Sequence, residues 1–293
     1  VIKIDFKINK VEIEEKEEVE EFITEDSGKV MTYKVMTAEI KDEEGQYLGT
    51  MKVFNNLTRE KMIDKMKSEF ISIASHQLRT PLSAIKWAIK MVLDEDAGKI
   101  NDEQKAILSK GYISNERVIN LINDMFNVSR IEDGKFGYKF EKLNFMTVVD
   151  LVLENLAPQI KEKDIDLKIS TPGNVVVIDM DQEKMYMALE SLLINAIKYS
   201  PPHSKVELSL EKGTELLTVR VNDHGMGIPQ AEQSKLFTKF FRAQNAIKVE
   251  TDGSGLGLFI VKNIVEKHGG DISFTSEEGK GTEFIITVPL QKE

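Results

Sequence analysis

The chain has 293 residues, of which 41% are hydrophobic and 30% charged, a composition typical of globular domains and long enough for two or three of them. Its 39 Lys and Arg residues stand against 49 Asp and Glu residues, and the resulting net charge of −10 argues against binding nucleic acid through its phosphates. The absence of cysteine excludes disulfides, cysteine-ligated zinc and thiol catalysis.

The start of the chain bears on how it relates to membranes. No apolar run approaches the roughly 20 residues of a membrane-spanning helix, and no signal peptide is visible. Because the first residue is Val1 rather than methionine, we expect the chain to be a piece of a longer one. Any membrane anchor would then lie upstream of it.

Residues 1–56 are expected to form strands. The apolar residues between Ile2 and Ile8 alternate with polar ones, and two further strand-like segments lie at about 30–40 and 47–54. The acidic run at 12–21 is predicted to be a solvated helix or loop. The stretch from Gly45 to Thr58 resembles the last strand of a PAS sensor domain running into its exit helix, so that only part of such a domain would be present.

Two long amphipathic helices are predicted next. The first runs from Leu57 to about Leu93, and the second begins after Asn101, which forms a capping-box pattern with Gln104, and ends near Arg130. Helices joined by a short loop form an antiparallel hairpin, which cannot cover both apolar faces alone. We therefore predict a homodimer through residues 57–131, in which two hairpins form a four-helix bundle.

A linker at 132–142 is predicted to precede an α/β sandwich at 143–293, built from one mixed sheet with helices on one face. Helices are expected at 146–163, 182–199 and 256–268, and strands at 165–169, 175–178, 205–210, 216–222, 271–275 and 283–289. The predicted fold class is thus multidomain α+β, with a short β-rich segment, a helical hairpin and an α/β sandwich.

His76 lies inside the first predicted helix, in the stretch F-I-S-I-A-S-H-Q-L-R-T-P-L that runs from Phe70 to Leu82. It lies beside the apolar stripe rather than within it, so its imidazole is expected to face solvent. Taken alone it would be an ordinary surface histidine. Glycine-rich segments further along the chain, suited to nucleotide phosphates, favour a functional role instead.

Two segments of the last domain offer polar groups to a ligand. Asn195 and Lys198 lie three residues apart at a helix end, so an amide oxygen and an ammonium share one face, able to hold a hard cation and a phosphate. Asp223 follows a strand and precedes Gly225 and Gly227, an arrangement suited to an amino-bearing ring such as adenine. Each segment alone has a simpler interpretation, a solvated helix end and a tight turn.

Two further glycine-rich segments follow. The segment 253–258, G-S-G-L-G-L, opens a helix, and the free N–H groups at a helix start form a ready site for phosphate. It is neither a P-loop nor a dinucleotide fingerprint, because the required residues are absent or displaced. The segment 279–284, G-K-G-T-E-F, is by itself only a predicted hairpin turn.

Together and in this order, these four segments resemble the N, G1, G2 and G3 boxes of the sensor histidine kinases. Residues 236–242 resemble the F box and 76–82 the H box, so the resemblance covers residues 57–291. It implies a Bergerat-type ATP-binding domain joined to a dimerising phosphoacceptor hairpin. The implied activity is ATP-dependent phosphorylation of His76, followed by transfer to an aspartate in the receiver domain of a separate response regulator.

The resemblance also implies roles for individual residues. Asp223 would bind the adenine amine, Asn195 would ligate Mg²⁺, and the segment from Arg242 to Asp252 would be a lid ordered by ATP. The implied ATP-binding residues are Asn195, Lys198, Tyr199, Asp223, Gly225, Gly227, Ile228, Phe240, Arg242, Gly253, Ser254, Gly255, Leu256, Gly257, Leu258 and Thr282. The implied catalytic residues are His76, Gln77 and Thr80.

Two positions depart from the family pattern. An acidic residue usually follows the histidine, whereas Gln77 can orient an imidazole N–H but cannot act as a base, so we expect slower autophosphorylation. The N box usually opens with Asn, and related hydrolytic ATPases carry a water-activating Glu there. This chain has Ser191, which favours transfer to histidine over hydrolysis, and the neighbouring Glu190 is turned ~100° around the helix.

Thr80 lies one turn after His76, where the family places a water that removes phosphate from the partner aspartate, so phosphatase activity is also predicted. We interpret the chain as the cytoplasmic part of a dimeric sensor histidine kinase that uses ATP and Mg²⁺. No nucleic acid is expected as a partner, and membrane contact is expected only through upstream segments. The alternatives are a weakened kinase that acts as a phosphatase or scaffold, and a gyrase- or chaperone-like ATPase.

Overall fold

The computed structural model of the chain describes residues 12–26, 29–41, 45–173, 176–250 and 253–290. The chain divides into two compact units between Phe70 and Ile71. Within the described residues, no helix is both long and apolar enough to cross a membrane. The alternating segment at 2–8 lies outside the described residues.

An antiparallel sheet of three strands begins the described chain, in the order β1, β2, β3. The strands are β1 Glu12–Asp26, β2 Lys29–Lys41 and β3 Tyr47–Asn56, so the strands predicted at 30–40 and 47–54 are confirmed. The prediction of a helix or loop at 12–21 is wrong. In the register of β1 against β2, Glu12 pairs with Lys41 and Glu21 with Lys34, so the acidic run lies in a strand whose partner is distant in sequence. The resemblance to a PAS domain stays a prediction.

The predicted helical hairpin is present as α1 Thr58–Leu93 and α2 Asp102–Glu132. The capping box at the start of α2 is confirmed, because Asn101 Oδ1 accepts from the Gln104 N–H at 2.8 Å and Gln104 Oε1 accepts from the Asn101 N–H at 2.9 Å. The buried Asn115 joins the helices by donating its amide to the Leu82 carbonyl at 3.0 Å.

The α/β domain contains a mixed sheet in the order β5-β7-β8-β10-β9, in which only β5 and β7 run parallel. Its strands are β5 Asp166–Ser170, β7 Lys205–Lys212, β8 Leu216–Asp223, β9 Asp271–Glu277 and β10 Gly281–Pro289. The main helices are α3 Phe145–Glu162, α4 Gln182–Tyr199 and α6 Gly257–Lys267, and a 3-10 helix Gln230–Lys235 and a short α5 Gln244–Val249 lie between β8 and α6.

One face of this sheet packs against the helices. Alternate residues of β7, β8 and β10 are buried, including Leu208, Val219 and Ile286, and they form one core with α3, α4 and α6. The predicted sandwich with helices on one face is therefore confirmed. The strand expected at 175–178 is present as β6 Val177–Met180, but it pairs with the short β4 Glu141–Asn144 in a separate sheet. Because β4 has four residues, it is too short to show a period-two pattern.

Candidate functional site

Asp223 is a buried carboxylate at the end of β8, where it continues the row of side chains that face the helices. Its Oδ1 accepts from the Gly225 N–H at 2.8 Å and from the Thr282 N–H at 3.2 Å. Burial raises the pKa of Asp223 to about 6, although these two donors favour the charged form. No hydrogen bond among the described residues engages Oδ2, so this oxygen can accept one from a ligand.

The loop after Asp223 is fixed to the β9–β10 hairpin. The Gly279 N–H donates to the Met226 carbonyl at 2.7 Å, and the Ile228 N–H donates to Ser276 Oγ at 2.9 Å. Gly227 has a φ of +63°, and a Cβ there would overlap the carbonyl oxygen of Glu277, so only glycine fits without a shift of the backbone. This loop therefore holds Gly225, Gly227 and Ile228 beside Asp223.

The end of α4 carries three of the residues predicted to bind nucleotide, Asn195, Lys198 and Tyr199. The Tyr199 carbonyl accepts from the Met226 N–H at 3.4 Å, which joins the end of α4 to the loop after Asp223. The Lys163 ammonium caps α4 by donating to the carbonyls of Ile197 and Lys198 at 2.8 and 2.7 Å. Asn195 is half-buried, and within the described part of the chain its side-chain amide makes no hydrogen bond.

Ser200, which directly follows Tyr199, is not among the residues predicted from the sequence. Its side chain is 3% exposed, and its hydroxyl has no hydrogen-bond partner within the described residues. A buried hydroxyl without a partner is energetically unfavourable, so the Ser200 hydroxyl is available to bond to a water or a ligand. A serine after a helix is usually a turn residue, so only the burial distinguishes this one.

The segment predicted to be a lid contacts the end of α4. Arg242 donates to the carbonyl of Glu250, whose carboxylate lies 3.9 Å from the Lys198 ammonium. Burial raises the pKa of Tyr199, and the Arg242 guanidinium beside it partly offsets this. α5 forms the middle of the segment, whereas residues 251 and 252 lie outside the described part.

The glycine segment at 253–258 packs closely against two other elements. Gly255 has a φ of +66°, and a Cβ there would lie 2.8 Å from the Phe241 carbonyl oxygen. Gly257 begins α6, and a Cβ there would lie 2.9 Å from Ser191 Oγ. Ser191 thus supports the start of α6. Leu256 is fully buried and anchors the segment, while Phe240 is exposed and has an unusual φ of +61°.

The predicted catalytic residues lie elsewhere, on α1. Gln77 and Thr80 are exposed, and no hydrogen bond or ion pair in the described part joins either of them to the residues around Asp223. The side chain of His76 is outside the described part, although its backbone is helical. Arg79, which directly precedes Thr80, is held by Asn123 of α2. The Nε and Nη2 atoms of Arg79 donate to Asn123 Oδ1 at 3.1 and 2.7 Å.

Glu190 has a structural role. Its Oε1 accepts from Asn155 Nδ2 and from the Tyr186 hydroxyl, both at 2.7 Å. The carboxylate is therefore held on the α3 side of α4, which supports the expectation that it does not replace a water-activating glutamate.

A buried histidine, His268, connects α6 to the chain that precedes the domain. Its Nε2 accepts from the Asp181 N–H at 3.0 Å and its Nδ1 donates to the Ile264 carbonyl at 2.7 Å, so the ring is neutral. The rings of Tyr138 and Phe140 lie 5.9 and 4.9 Å from it. Burial lowers the pKa of His268, although the Ile264 carbonyl and Asp181 favour the charged form.

The chain before β4 is therefore packed onto the α/β domain. The Lys139 N–H donates to Asp181 Oδ2 at 2.8 Å, and Phe136 is 4% exposed in the core of the domain. Only residues 133–135 lie between the end of α2 at Glu132 and Phe136. We name residues 136–140 the docked linker.

Comparison with known proteins agrees with this geometry. The family of the His Kinase A (phospho-acceptor) domain matches residues 66–134, and the Histidine kinase-, DNA gyrase B-, and HSP90-like ATPase family matches residues 180–292. The chain belongs to the sensor histidine kinases. The match to a phosphoacceptor domain decides against the gyrase- or chaperone-like alternative, because those ATPases lack such a hairpin.

Curated relatives of this histidine kinase include two WalK proteins. The sensor histidine kinase WalK of Bacillus subtilis is 32% identical over 256 residues, which are 87% of this chain and 42% of that protein. The sensor protein kinase WalK of Staphylococcus aureus is 30% identical over 254 residues, which are 86% of this chain and 60% of that protein. The chain thus spans about half the length of these relatives.

Two solved structures share the fold. Full-length ShkA in complex with AMPPNP gives a TM-score of 0.63 at 23% identity, covering 77% of this chain and 46% of that one. The Acinetobacter baumannii histidine kinase AdeS gives a TM-score of 0.53 at 22% identity, covering 74% of this chain and 98% of that one. The predicted fold class is confirmed.

Proposed function

We propose that this histidine kinase phosphorylates His76 with ATP and then passes the phosphoryl group to an aspartate in the receiver domain of a response regulator. The observation that carries the proposal is the buried carboxylate of Asp223, beside which the loop at 225–228 and the end of α4 lie. The start of α6 packs against the same helix, at Ser191. The same chain carries a hairpin of the phosphoacceptor family.

The residues around Asp223 suit an adenine nucleotide. Asp223 Oδ2 accepts a hydrogen bond from the adenine amine, and the Ser200 hydroxyl next to Tyr199 gains a partner in the base or in a bound water. Lys198 and Arg242 supply positive charge for the phosphates, and the N-terminus of α6 adds backbone N–H groups and the positive end of the helix dipole. The contacts of Ile228, Phe240, Leu258 and Thr282 with nucleotide belong to the same proposal.

The side chain of Asn195 fits Mg²⁺ in its nucleotide complex. Its amide oxygen is a hard ligand without a hydrogen-bond partner among the described residues, and no group of three or more His, Asp or Glu side chains in that part is arranged to hold a metal. Mg²⁺ bound with nucleotides commonly takes one or two ligands from the protein and the others from phosphate and water. When bound, the cation neutralises phosphate charge.

The proposed chemistry is a phosphoryl transfer in two steps. A neutral imidazole nitrogen of His76 forms a bond to the γ-phosphorus of ATP, the bond from that phosphorus to the bridging oxygen breaks, and ADP leaves. A carboxylate of the response regulator then takes the phosphoryl group from the imidazole. An imidazole with an ordinary pKa near ~6.5 is mostly neutral at pH 7 and therefore available as the nucleophile.

The exposed apolar surface of the hairpin supports a homodimer. Phe70 and Trp87 of α1 are 72% and 66% exposed, and Ile107 of α2 is 63% exposed. Burying side chains of this size stabilises an assembly by about 1.5–3 kcal/mol each. A second hairpin of the same chain is the partner that the four-helix arrangement calls for.

The proposal is tested with γ-labelled ATP and Mg²⁺. We expect a label that is labile in acid and stable in alkali, as a phosphohistidine is, and that is lost in His76→Ala. The matched control is His203→Ala, because His203 is an exposed histidine that lies in the α/β domain. A label that survives in His76→Ala, or none in the unmodified chain, would overturn the proposal.

Two finer parts of the proposal have their own tests. Gln77→Glu should raise the rate of autophosphorylation, because it supplies the missing base, and an unchanged or lower rate would contradict this. Thr80 is exposed one turn after His76, which supports the predicted phosphatase activity. Thr80→Ala should impair dephosphorylation of a phosphorylated regulator while sparing autophosphorylation, and equal loss of both would show that Thr80 has another role.

A further inference from the structure

A side-chain hydrogen bond joins the hairpin to the glycine segment of the α/β domain. The Ser254 hydroxyl donates to Asp124 Oδ2 on α2 at 2.7 Å. The same hydroxyl oxygen accepts from the Leu256 N–H at 3.2 Å, at the start of α6. One hydroxyl therefore connects a carboxylate of the hairpin to the backbone N–H of Leu256, the N-cap residue of α6.

A second contact holds the same two regions together. The Lys239 ammonium pairs with Glu132 at the end of α2, and it lies 5.0 Å from the centre of the Phe259 ring on α6. Asp124 and Glu132 are about two turns apart on α2. The last turns of α2 thus lie along the start of α6, and the Asp124 contact is part of an extended interface.

Asp124 is an ionisable residue in a position that is partly removed from water. The carboxylate is half-buried, and burial raises its pKa while the hydrogen bond from Ser254 opposes the rise. It lies beside the positive end of the α6 dipole, where an anion is favoured. Under the proposed function, the phosphates of ATP require the same helix end and the same backbone N–H groups. Two anions at one helix end repel each other, and the repulsion is stronger where water is partly excluded.

We propose that Asp124 acts as an internal anion that competes with the nucleotide, so that docking of the hairpin on the glycine segment and binding of ATP oppose each other. The docked arrangement holds Ser254 and the Leu256 N–H in contacts that a bound triphosphate would disrupt. Because coupling between two binding events is reciprocal, ATP releases α2 from the glycine segment by the same factor by which docking weakens ATP binding. This inference rests on the proposed nucleotide binding and adds a regulatory role for Asp124.

The test measures the dissociation constant of AMPPNP with Mg²⁺ for the full chain by calorimetry. Asp124→Asn keeps the shape of the side chain and removes its charge, so we expect AMPPNP to bind about 5- to 10-fold more tightly, within the usual range of coupling between sites. The matched control is Asp150→Asn on α3, an exposed carboxylate that changes the net charge equally and should leave the constant unchanged.

The outcomes separate this inference from the proposed function. If the unmodified chain binds AMPPNP and Asp124→Asn binds it equally or more weakly, the inference is wrong and the proposed function stands. If the unmodified chain does not bind AMPPNP, both are wrong. If Asp150→Asn tightens binding as much as Asp124→Asn does, the effect is one of net charge, and the inference is again wrong.

Hydrogen exchange gives a second, independent reading of the same coupling. Saturating AMPPNP should raise amide exchange in residues 119–132 of the unmodified chain, because α2 loses its contact with the glycine segment. In Asp124→Asn, exchange in these residues should already be raised without nucleotide. Lower exchange on addition of AMPPNP would overturn the inference, because it would mean that nucleotide strengthens the contact.

Discussion

The hairpin and the α/β domain of this histidine kinase bury their apolar residues in different ways. The α/β domain encloses a continuous core between one sheet and three helices, with residues such as Val148, Leu192 and Val261 fully or almost fully buried. Among the described residues of the hairpin, the buried hydrophobic ones are Ile122 and Val128, both on α2. The other large apolar side chains that are described on these two helices are partly or largely exposed.

This contrast shows where each region obtains its stability. The α/β domain completes its core within one chain, and its loops can therefore hold the residues of the proposed nucleotide site in place. The hairpin depends on contacts outside itself, which suits the proposed role of receiving a phosphoryl group and presenting it to a partner. Substitutions that affect one region and spare the other can test this division.

The largest effect is expected from charges on the exposed apolar face of the hairpin. The double variant Ile107→Glu, Ile113→Glu should raise the dimer dissociation constant by a factor of at least ~1,000, because each buried, unpaired charge in an apolar interface costs several kcal/mol. Sedimentation equilibrium measures this. The control Leu216→Glu places the same charge on a 43% exposed leucine of β8 and should leave the dimer intact. Equal dissociation in both variants would contradict a dimer interface on the hairpin.

The second effect concerns the α/β domain alone. Asp223→Asn should weaken ATP binding about 100-fold, because an amide presents a donor or a weaker acceptor to the adenine amine. The dimer should be unaffected. At pH 7.5 the variant should be at least as stable as the unmodified chain, because it no longer buries a charged carboxylate. Calorimetry and thermal unfolding measure the two quantities, and a large loss of stability would show that Asp223 is mainly structural.

The stability of the unmodified chain relative to Asp223→Asn should depend on pH. Because the pKa of Asp223 is about 6 in the folded state and near 3.8 when unfolded, the folded state binds the proton more tightly. As the pH falls from 7 towards 4, the unmodified chain should therefore gain stability relative to Asp223→Asn. A difference in unfolding free energy that stays constant across this range would contradict the raised pKa.

A matched pair of glycines tests how tightly the nucleotide loops are packed. Gly227 and Gly279 both have positive φ, but a Cβ at Gly227 would meet the Glu277 backbone, whereas one at Gly279 would meet nothing within 4 Å. Gly279→Ala should cost about 1 kcal/mol of unfolding free energy, from backbone strain alone. Gly227→Ala should cost about 2 kcal/mol more, because the loop must shift. Urea unfolding would show equal losses if the loop were loosely packed.

The smallest effect is expected from His268. Its pKa is lowered in the folded state, so the unfolded chain takes up the proton first and stability falls as the pH drops below about 6.5, by at most ~1.4 kcal/mol for each pH unit. This trend opposes that of Asp223 and is partly masked by it. His268→Gln should remove it, which thermal unfolding between pH 7.5 and 5.5 would reveal as a shallower loss at low pH. An unchanged pH profile would exclude His268 as its source.

Much of the fold followed from local patterns in the sequence. The boundaries of α4 and the capping box at Asn101 were predictable, because long helices and their caps depend on neighbouring residues. Strand β1 was not predictable from local patterns, because its pairing with β2 stabilises it. β4 was missed because so few residues carry its pattern.

The candidate site was predictable as a set of segments but not as a set of contacts. Asp223 and the glycines are recognisable in order along the chain, and their family is confirmed. The burial of Ser200 and the hydrogen bond from Ser254 to Asp124 depend on how distant elements pack. No local pattern in the sequence encodes either one.

The docked linker has a consequence for how the two regions of the kinase meet. With 136–140 fixed to the α/β domain, the tether to α2 is residues 133–135, which can span at most about 14 Å between Glu132 and Phe136. A tether this short holds the glycine segment near α2 at an effective concentration of millimolar or more. An interface held by a hydrogen bond, an ion pair and a cation–π contact would be too weak to join separate molecules. With so short a tether it can be substantially populated and still be released by a single ligand.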